Sequence, residues 1–186
     1  MKLYFTFFLI LFSLLSHSQI VQISDMKFKK HLIDLGIDLN NDGKIQVSEA
    51  LMVKSLFING LDIANVQGIN SFTNLEEFGC QNNRITSLDI FKLKKLKSIN
   101  FSDNQLTHFD ATGLNNLELI NGDNNKLVSI IVRSSPNLKT LTLRHNPVQP
   151  TIDIRGLTQL EYFDFTGCNL VYINFSGTLK LKTYYW

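Results

Sequence analysis

Hydrophobic and polar positions recur along most of this chain with a period of about 21 residues. Leucine opens each of five aligned segments. Apolar residues at the fourth and sixth positions of a segment alternate with polar ones, which predicts a short strand with two side chains pointing inward. The five segments are residues 75–85, 96–106, 117–127, 138–148 and 160–170.

The ninth position of the segments predicts a ladder of polar side chains. It is asparagine in four copies (Asn83, Asn104, Asn125 and Asn146), and Cys168 replaces it in the fifth. An asparagine amide both donates and accepts, so it can satisfy buried backbone groups where the chain turns off the strand. We therefore interpret these residues as structural.

The second half of each repeat is short and again alternates apolar with polar residues, as in Phe109-Asp110-Ala111. This pattern favours a second extended segment over a helix. A degenerate copy carrying Val53, Leu56, Ile58 and Ile63 precedes the five segments, and a truncated copy begins at Leu181. Stacked units of this kind form a solenoid.

The segments resemble the LxxLxLxxNxL pattern of leucine-rich repeats, in particular the short bacterial repeats of internalin-like surface proteins. The resemblance covers about 130 residues and implies an α/β, mainly β solenoid. It would be a horseshoe of about six short repeats with a small helical N-terminal cap. We expect a signal peptide over 1–18, the cap over 19–52 and the repeats over 53–186.

The first 18 residues have the layout of a signal peptide. Lys2 precedes an apolar run from Leu3 to Leu15, and small residues at Ser16 and Ser18 favour cleavage before Gln19. An uncleaved membrane anchor is the alternative, although the run falls short of the roughly 20 residues that a span needs. We expect a secreted or cell-surface protein without a membrane span after cleavage.

The two cysteines do not predict a disulfide. Cys80 and Cys168 stand four repeats apart, which is about 19 Å at the usual strand spacing. A disulfide needs Cα atoms within about 7 Å. Both cysteines are therefore expected to be small buried residues.

A calcium-binding motif lies upstream of the repeats. Residues 38–49 fit the pattern D-x-[DN]-x-[DN]-G-x5-E and resemble single EF-hand or dockerin-like loops, which bind Ca²⁺. The resemblance implies oxygen ligands from the side chains of Asp38, Asn40, Asp42 and Glu49, from the Lys44 carbonyl, and from Gln46 directly or through water. The alternative is a turn rich in Asp, Asn and Gly that fits the pattern by chance.

Helices are expected on both sides of this loop. Ser24 is a candidate N-cap for a helix with Phe28, Leu32 and Leu35 on one face, and Gly36 should end that helix early. A second helix would run from Glu49 toward Val53. Such a cap would cover the open end of the solenoid, and calcium would stabilise it by binding only the folded form.

Outward positions of the concave strands form the predicted partner surface, with a protein or a glycan as ligand. Ladders of hydrogen-bonding side chains suit either, and aromatic anchors are few (Phe57, Tyr162 and Tyr185). The alternative is that these side chains only keep the sheet soluble. The predicted ligand-binding residues are Glu77, Asn100, Asp103, Asn121, Asp123, Thr142, Arg144, His145, Tyr162 and Asp164.

Charge and composition argue against several other functions. The formal charge of +2 is too small to predict nucleic-acid binding, which clustered Lys and Arg usually accompany. His108 and His145 lie on different faces with no nucleophile at a suggestive spacing, and no Cys/His set has zinc spacing. We expect a protein that is not an enzyme.

The C-terminal residues 182–186 fall in the strand of the incomplete last repeat. An apolar end and a strand edge would then be open. Two interpretations follow: the sequence is a fragment or spacer of a larger surface protein whose functional domain lies further on, or the open edge allows self-association.

Overall fold

In a computed structural model, residues 19–148 and 151–186 form the solenoid that the repeats predict. The predicted signal peptide lies outside these described residues. Seven parallel strands, each of three residues, form one sheet in the order β1-β2-β3-β5-β7-β9-β11. They are β1 Ser55–Phe57, β2 Glu77–Gly79, β3 Ser98–Asn100, β5 Leu119–Asn121, β7 Thr140–Thr142, β9 Tyr162–Asp164 and β11 Thr183–Tyr185.

Register within this sheet follows the repeat. Phe78 of β2 pairs with Ile99 of β3, which pairs with Ile120 of β5. In every strand of this sheet except β11, the middle residue faces the core and is at most 2% exposed, because side chains alternate between the two faces of a strand. The degenerate first copy and the truncated last copy therefore both contribute strands, as expected.

The second half of the repeat forms two short parallel pairs on the convex side. They are β4 His108–Asp110 with β6 Ser129–Ile131, and β8 Thr151–Asp153 with β10 Tyr172–Asn174. The expectation of extended segments in place of helices is confirmed. Phe109 closes the space between the layers, with its ring centroid 4.5 Å from that of Phe101.

The cap differs from the expectation in three details. Helix α1 spans Met26–Asp34, and its N-cap is Asp25, not Ser24, because the Asp25 carboxylate accepts the N–H groups of the first turn. Leu35 is 51% exposed, whereas Phe28 and Leu32 are fully buried. Helix α2 is one turn, Val47–Ala50, and does not extend to Val53. Gly36 ends α1 with a φ of +73°, as predicted.

Backbone and side-chain contacts join the cap to the first strand. Val21 N–H donates to the Ile45 carbonyl at 2.8 Å, so the segment before α1 pairs with the end of the loop. His31 Nε2 lies 3.0 Å from the Phe57 carbonyl of β1. A 3₁₀ turn, Ile69–Ser71, follows in the first repeat. No helix of the described residues is both long and apolar enough to cross a membrane.

Candidate functional site: the concave face and the cap loop

The predicted ligand-binding residues lie on the concave strands or on the turns that follow them. Their contacts separate them into groups that the sequence did not distinguish. Asn100 and Asn121 each use the side-chain oxygen to accept an N–H two residues further on, at 3.0 and 3.1 Å. These amides hold the turn after the strand. Glu77 is exposed at the start of β2, and its carboxylate accepts a hydrogen bond from the Ser55 hydroxyl at 3.3 Å.

Two further predicted residues have a backbone role. Asp103 and His145 occupy the eighth position of their repeats, where φ is positive (54° and 53°). Asn and Asp tolerate this left-handed conformation better than other residues, and Gly167 takes the position in the fifth copy with a φ of +74°. Of these residues, His145 is the least suited to a positive φ, so the backbone is mildly strained at this point of the concave rim.

The remaining predicted residues cluster near the C-terminal end of the face, around Arg144. Arg144 Nε lies 2.8 Å from the Asp164 carboxylate and 3.7 Å from that of Asp123. Tyr162 donates its hydroxyl to Asp164 at 3.2 Å. Tyr185 lies beside Tyr162, with ring centroids 5.9 Å apart.

Charge states in this cluster are fixed by its contacts. The hydrogen bond with Tyr162, and then the ion pair with Asp164, raise the pKa of Arg144. Burial raises the pKa of Asp164, but hydrogen bonds from Thr166 and Arg144 outweigh it and lower the pKa overall. The cluster therefore presents a guanidinium that is held in place beside the ionised Asp164 carboxylate.

Thr142 lies on the neighbouring strand position, in register between Asn121 and Asp164. It is only 8% exposed, yet its hydroxyl has no hydrogen-bond partner within the described residues. A buried hydroxyl without a partner costs about 1–3 kcal/mol. Because the oxygen itself is buried, this hydroxyl does not offer a contact to a ligand on the concave surface.

A ladder of alternating charges at the second position of the repeats was missed by the sequence analysis. Lys97 pairs with Glu76 at 2.6 Å, Lys139 with Glu118 at 2.6 Å, and Lys182 with Glu161 at 2.7 Å. Each acid neighbours Lys on both sides, and these lysines lower its pKa. The aligned repeats contain the signal: the second positions are Lys54, Glu76, Lys97, Glu118, Lys139, Glu161 and Lys182.

The asparagine ladder is confirmed by its hydrogen bonds. Asn125 Nδ2 donates to the Phe101 carbonyl of the preceding repeat at 3.0 Å, and its Oδ1 accepts the Leu106 N–H at 3.0 Å. Cys168 replaces the amide with one thiol contact, 3.0 Å from the Leu143 carbonyl. Cys80 is buried as expected, but Cys168 is only half-buried.

In the cap loop, the predicted metal ligands share a turn that is held by backbone hydrogen bonds. Asp38 accepts the N–H groups of Asp42 and Gly43 at 3.2 and 2.8 Å. Gly43 has a φ of +75°, as the sharp turn requires. Gln46 donates its amide to Asp42 at 2.9 Å.

Glu49 closes the loop from its C-terminal side. Its two oxygens accept the N–H groups of Leu39 and Gln46, each at 2.8 Å. Asp38 and Glu49 are 5% and 6% exposed, and neither forms an ion pair with Lys or Arg within the described residues. Buried carboxylates are usually paired with a cation or bound to a metal, so two of the six predicted ligands fit a divalent cation well.

The rest of the ligand set is less well assembled. Residues 19–148 and 151–186 contain no group of three or more His, Cys, Asp or Glu side chains placed to hold a metal ion. Asp42 and Asn40 are exposed on the loop, and the Asn40 oxygen accepts the Asp42 N–H at 3.0 Å. The donors are the oxygen ligands that calcium prefers, but Asp42 and Asn40 would have to turn toward the ion.

Stacked parallel strands, a ladder of buried amides and a helical cap together define a capped repeat solenoid of the leucine-rich type. Residues 73–116 match the family model for leucine-rich repeats, described as two copies. The chain is thus similar to leucine-rich-repeat proteins over these residues, and its fold is similar to that of the internalins. No curated protein matches its sequence significantly.

Solved structures support this assignment. The functional domain of InlJ from Listeria monocytogenes, which includes a cysteine ladder, has a TM-score of 0.72 at 28% identity, covering 76% of this chain and 31% of that one. The internalin InlF of the same organism has a TM-score of 0.57 at 18% identity, with 80% and 55% covered. A leucine-rich-repeat protein of Leptospira interrogans has a TM-score of 0.54 at 21% identity, covering 72% of this chain and 42% of that one. This chain thus spans less than two thirds of the length of each.

Proposed function

We propose that this chain is a secreted or cell-surface binding module that recognises a protein through its concave face. The observation that carries the proposal is the cluster of Arg144, Tyr162 and Asp164 on the concave face. Arg and Tyr are the residue types that most often dominate binding energy, particularly where they are held in place before binding. The likeness to internalins supports a recognition role over catalysis.

The test uses the full chain without residues 1–18 and a library of random peptides displayed on phage. We expect a consensus peptide to be enriched, and Arg144→Ala to weaken its binding about 30-fold, as expected for a hot-spot residue. Arg133→Ala, which removes an exposed arginine from the convex side, is the matched control and should leave binding unchanged.

Failure of every peptide to enrich would favour the alternative, a structural spacer of a larger surface protein. Equal losses in the two arginine variants would show that binding is non-specific. Binding of oligosaccharides that depends on Arg144 would change the ligand class from protein to glycan and leave the site in place.

Calcium is the second part of the proposal. We infer that Ca²⁺ binds the 38–49 loop and stabilises the cap, supported by the two buried carboxylates without a basic partner. When bound, the ion would supply the positive charge that Asp38 and Glu49 lack, and the loop would no longer depend on backbone amides alone. A ligand at 100 times its Kd that binds only the folded state adds about 2.7 kcal/mol.

Calorimetric titration with CaCl₂, combined with melting curves with and without chelator, tests this inference. Asp42→Asn changes an exposed ligand and should weaken calcium binding without unfolding the cap. Glu77→Gln, an exposed carboxylate outside the loop, is the control. Identical melting temperatures with calcium and with chelator would show that the loop is a plain turn.

The N-terminal sequence of the mature protein tests whether the protein is exported with cleavage of a signal peptide. We expect the mature form collected from culture medium or from the cell surface to begin at Gln19, which N-terminal sequencing would detect. A mature form that keeps Lys2 and the apolar run would favour a membrane anchor instead.

A further inference from the structure

A groove of about 640 Å³ lies on the convex side, away from the concave sheet. It runs between residues 86–91 and the start of β4. Strand β4 pairs with β6 on its other side, but no backbone hydrogen bond joins residues 86–91 to residues 107–112. The groove exists because the convex strand pairing is interrupted here, so backbone groups of β4 are open along its floor.

A second cavity, of about 360 Å³, continues this groove toward the cap. The two share Ser87 and Asp89 in their linings. Asn70 sets the junction, because its amide donates to the Asp89 carbonyl at 3.0 Å and its oxygen accepts the Lys92 N–H at 3.0 Å. The convex groove, as we call the two cavities together, reaches Ser24 in front of α1. Its size falls in the range of small-molecule and cofactor sites, about 300–1,000 Å³.

Hydrogen-bonding groups line the convex groove and are largely unused. Its first cavity has four hydroxyl side chains, and those of Thr86 and Ser87 form no hydrogen bond within the described residues. His108 uses Nδ1 on the Thr107 hydroxyl, at 2.9 Å, which leaves Nε2 for another partner. Hydroxyls and imidazole both donate and accept, so the groove suits a ligand whose own groups do the same. The remaining polar residues of this cavity are Asp89, Lys94, Asp110 and Thr112.

One aromatic ring stands at the lip of the groove. Phe91 is 53% exposed, even with the Lys92 amine 5.7 Å from its ring centroid. An exposed phenyl ring offers a flat apolar surface, and the C–H face of a sugar ring is the complementary surface on a ligand that is otherwise hydroxylated.

The charges and polar groups of the convex groove argue against phosphates, carboxylates and apolar molecules as ligands. The first cavity is lined by Asp89 and Asp110 and by one lysine, Lys94, and Lys92 lies beside Phe91 at the lip. These charges balance, so the groove has no excess of positive charge to favour phosphates or carboxylates. An apolar ligand would strand the hydroxyl and carboxylate groups without partners. We propose that the convex groove binds a neutral oligosaccharide, independently of the protein-binding concave face.

Saturation-transfer NMR on the full chain without residues 1–18 tests the proposal. The probes are tri- to hexasaccharides of glucose, N-acetylglucosamine, galactose and mannose, each titrated to 10 mM. We expect at least one to receive saturation, and Phe91→Ala to weaken its binding about tenfold or more. Phe57→Ala is the matched control, because Phe57 is 52% exposed on the concave side. Its replacement should leave oligosaccharide binding unchanged.

Ser87→Trp is a second variant, which tests the groove while keeping the Phe91 ring. Ser87 is exposed and lines both cavities, so an indole there fills the groove without disturbing the core, and binding should be lost with an unchanged melting temperature. No saturation of any probe overturns the proposal. So does a Phe57→Ala loss equal to that of Phe91→Ala, which would move the sugar to the concave face.

Discussion

The carboxylate of Asp25 accepts the backbone N–H of Ala64 at 2.8 Å. Its other oxygen accepts the N–H groups of Lys27 and Phe28, at 2.9 and 3.1 Å, and so caps helix α1. One side chain thus satisfies the start of the cap helix and a loop of the first repeat together. Nearby, Asp62 of that repeat pairs with Lys27 of the cap. The cap is joined to the solenoid by this polar edge as well as by Phe28 and Leu32.

Replacing Asp25 separates the two roles of its carboxylate. Asp25→Ala removes both and should lower the free energy of unfolding by about 2 kcal/mol, within the range for lost N-caps plus a hydrogen bond to a charged group. Asp25→Ser keeps a good N-cap but has one oxygen, so it should lose about half as much. Urea unfolding measures both. Equal losses would mean that the cap contributes nothing, and no loss in Asp25→Ser would mean that the contact with Ala64 contributes nothing.

The effect of Asp25 should depend on pH. Burial raises the pKa of Asp25, but backbone hydrogen bonds from Ala64, Phe28, Asn65 and Lys27 outweigh it, so the folded-state pKa lies below the ordinary value. Its stabilisation is therefore complete well above pH 4 and is lost as pH falls through the folded-state pKa. The difference between wild type and Asp25→Ala should shrink between pH 7 and pH 3. A difference that stays constant would exclude an ionised cap.

The repeat could be predicted from the sequence, whereas the contact between Asp25 and Ala64 could not, and the reason is physical. The fold rests on a pattern in which Leu96, Ile99 and Asn104 each reappear 21 residues later as the same residue, so local order repeats without reference to distant contacts. Ser24 and Asp25 are both good N-caps in isolation. The choice between them is made by Ala64, about 40 residues away, and no local rule contains it.

The same limit applies to the concave face. Its strand positions followed from alternation, but the sequence could not show that Asn100 and Asn121 are used by their own turns. Nor could it show that Arg144 is held between Asp123 and Asp164, since that depends on side-chain direction across three repeats. The calcium ligands remain a prediction, because a motif gives residue types and spacing but not the orientation of exposed oxygens such as that of Asn40.

The charge ladder predicts an unusual response to repeat deletion. Removing residues 96–116 deletes one repeat and brings Glu76 next to Glu118, whereas removing 96–137 deletes two and brings Glu76 next to Lys139. We expect added NaCl to lower the melting temperature of the single-deletion protein less than that of the double-deletion protein. Both keep four neighbouring Lys–Glu pairs that salt weakens, but only the single-deletion protein has a like-charged pair whose repulsion salt relieves. Melting curves in 20 mM and 500 mM NaCl measure the contrast.

A pair of substitutions checks that the ladder is the cause. In the single-deletion protein, Glu76→Lys combined with Lys54→Glu restores alternation along the whole ladder and should give the same response to salt as the double-deletion protein. Glu77→Lys, one position away and facing the concave side, is the control and should leave the difference between the two deletion proteins in place. If the two deletion proteins respond alike to salt, the alternation has no energetic effect.

The asparagine ladder should show the largest losses. Asn125→Ala leaves the buried Leu106 N–H without its acceptor and removes donors to the carbonyls of Phe101, Gly122 and Asp123. At about 1–3 kcal/mol for each unsatisfied buried group, the free energy of unfolding should fall by about 3 kcal/mol or more. Asn115→Ala, which removes an exposed amide at a position without a positive φ, is the control. Chemical denaturation measures both, and similar losses would contradict a special role for the buried amide.

Cys168 is the place where the ladder can be improved. The thiol contacts the Leu143 carbonyl, which is the partner that an amide at this position would take by analogy with Asn146 and the Gly122 carbonyl. Cys168→Asn should restore the donor and add an acceptor toward Val148, raising the free energy of unfolding by about 1 kcal/mol. Cys168→Ala should lower it. Because Cys168 is half-buried, the asparagine has room for its rotamer, and a destabilised Cys168→Asn protein would show that the fifth turn differs in backbone from the other four.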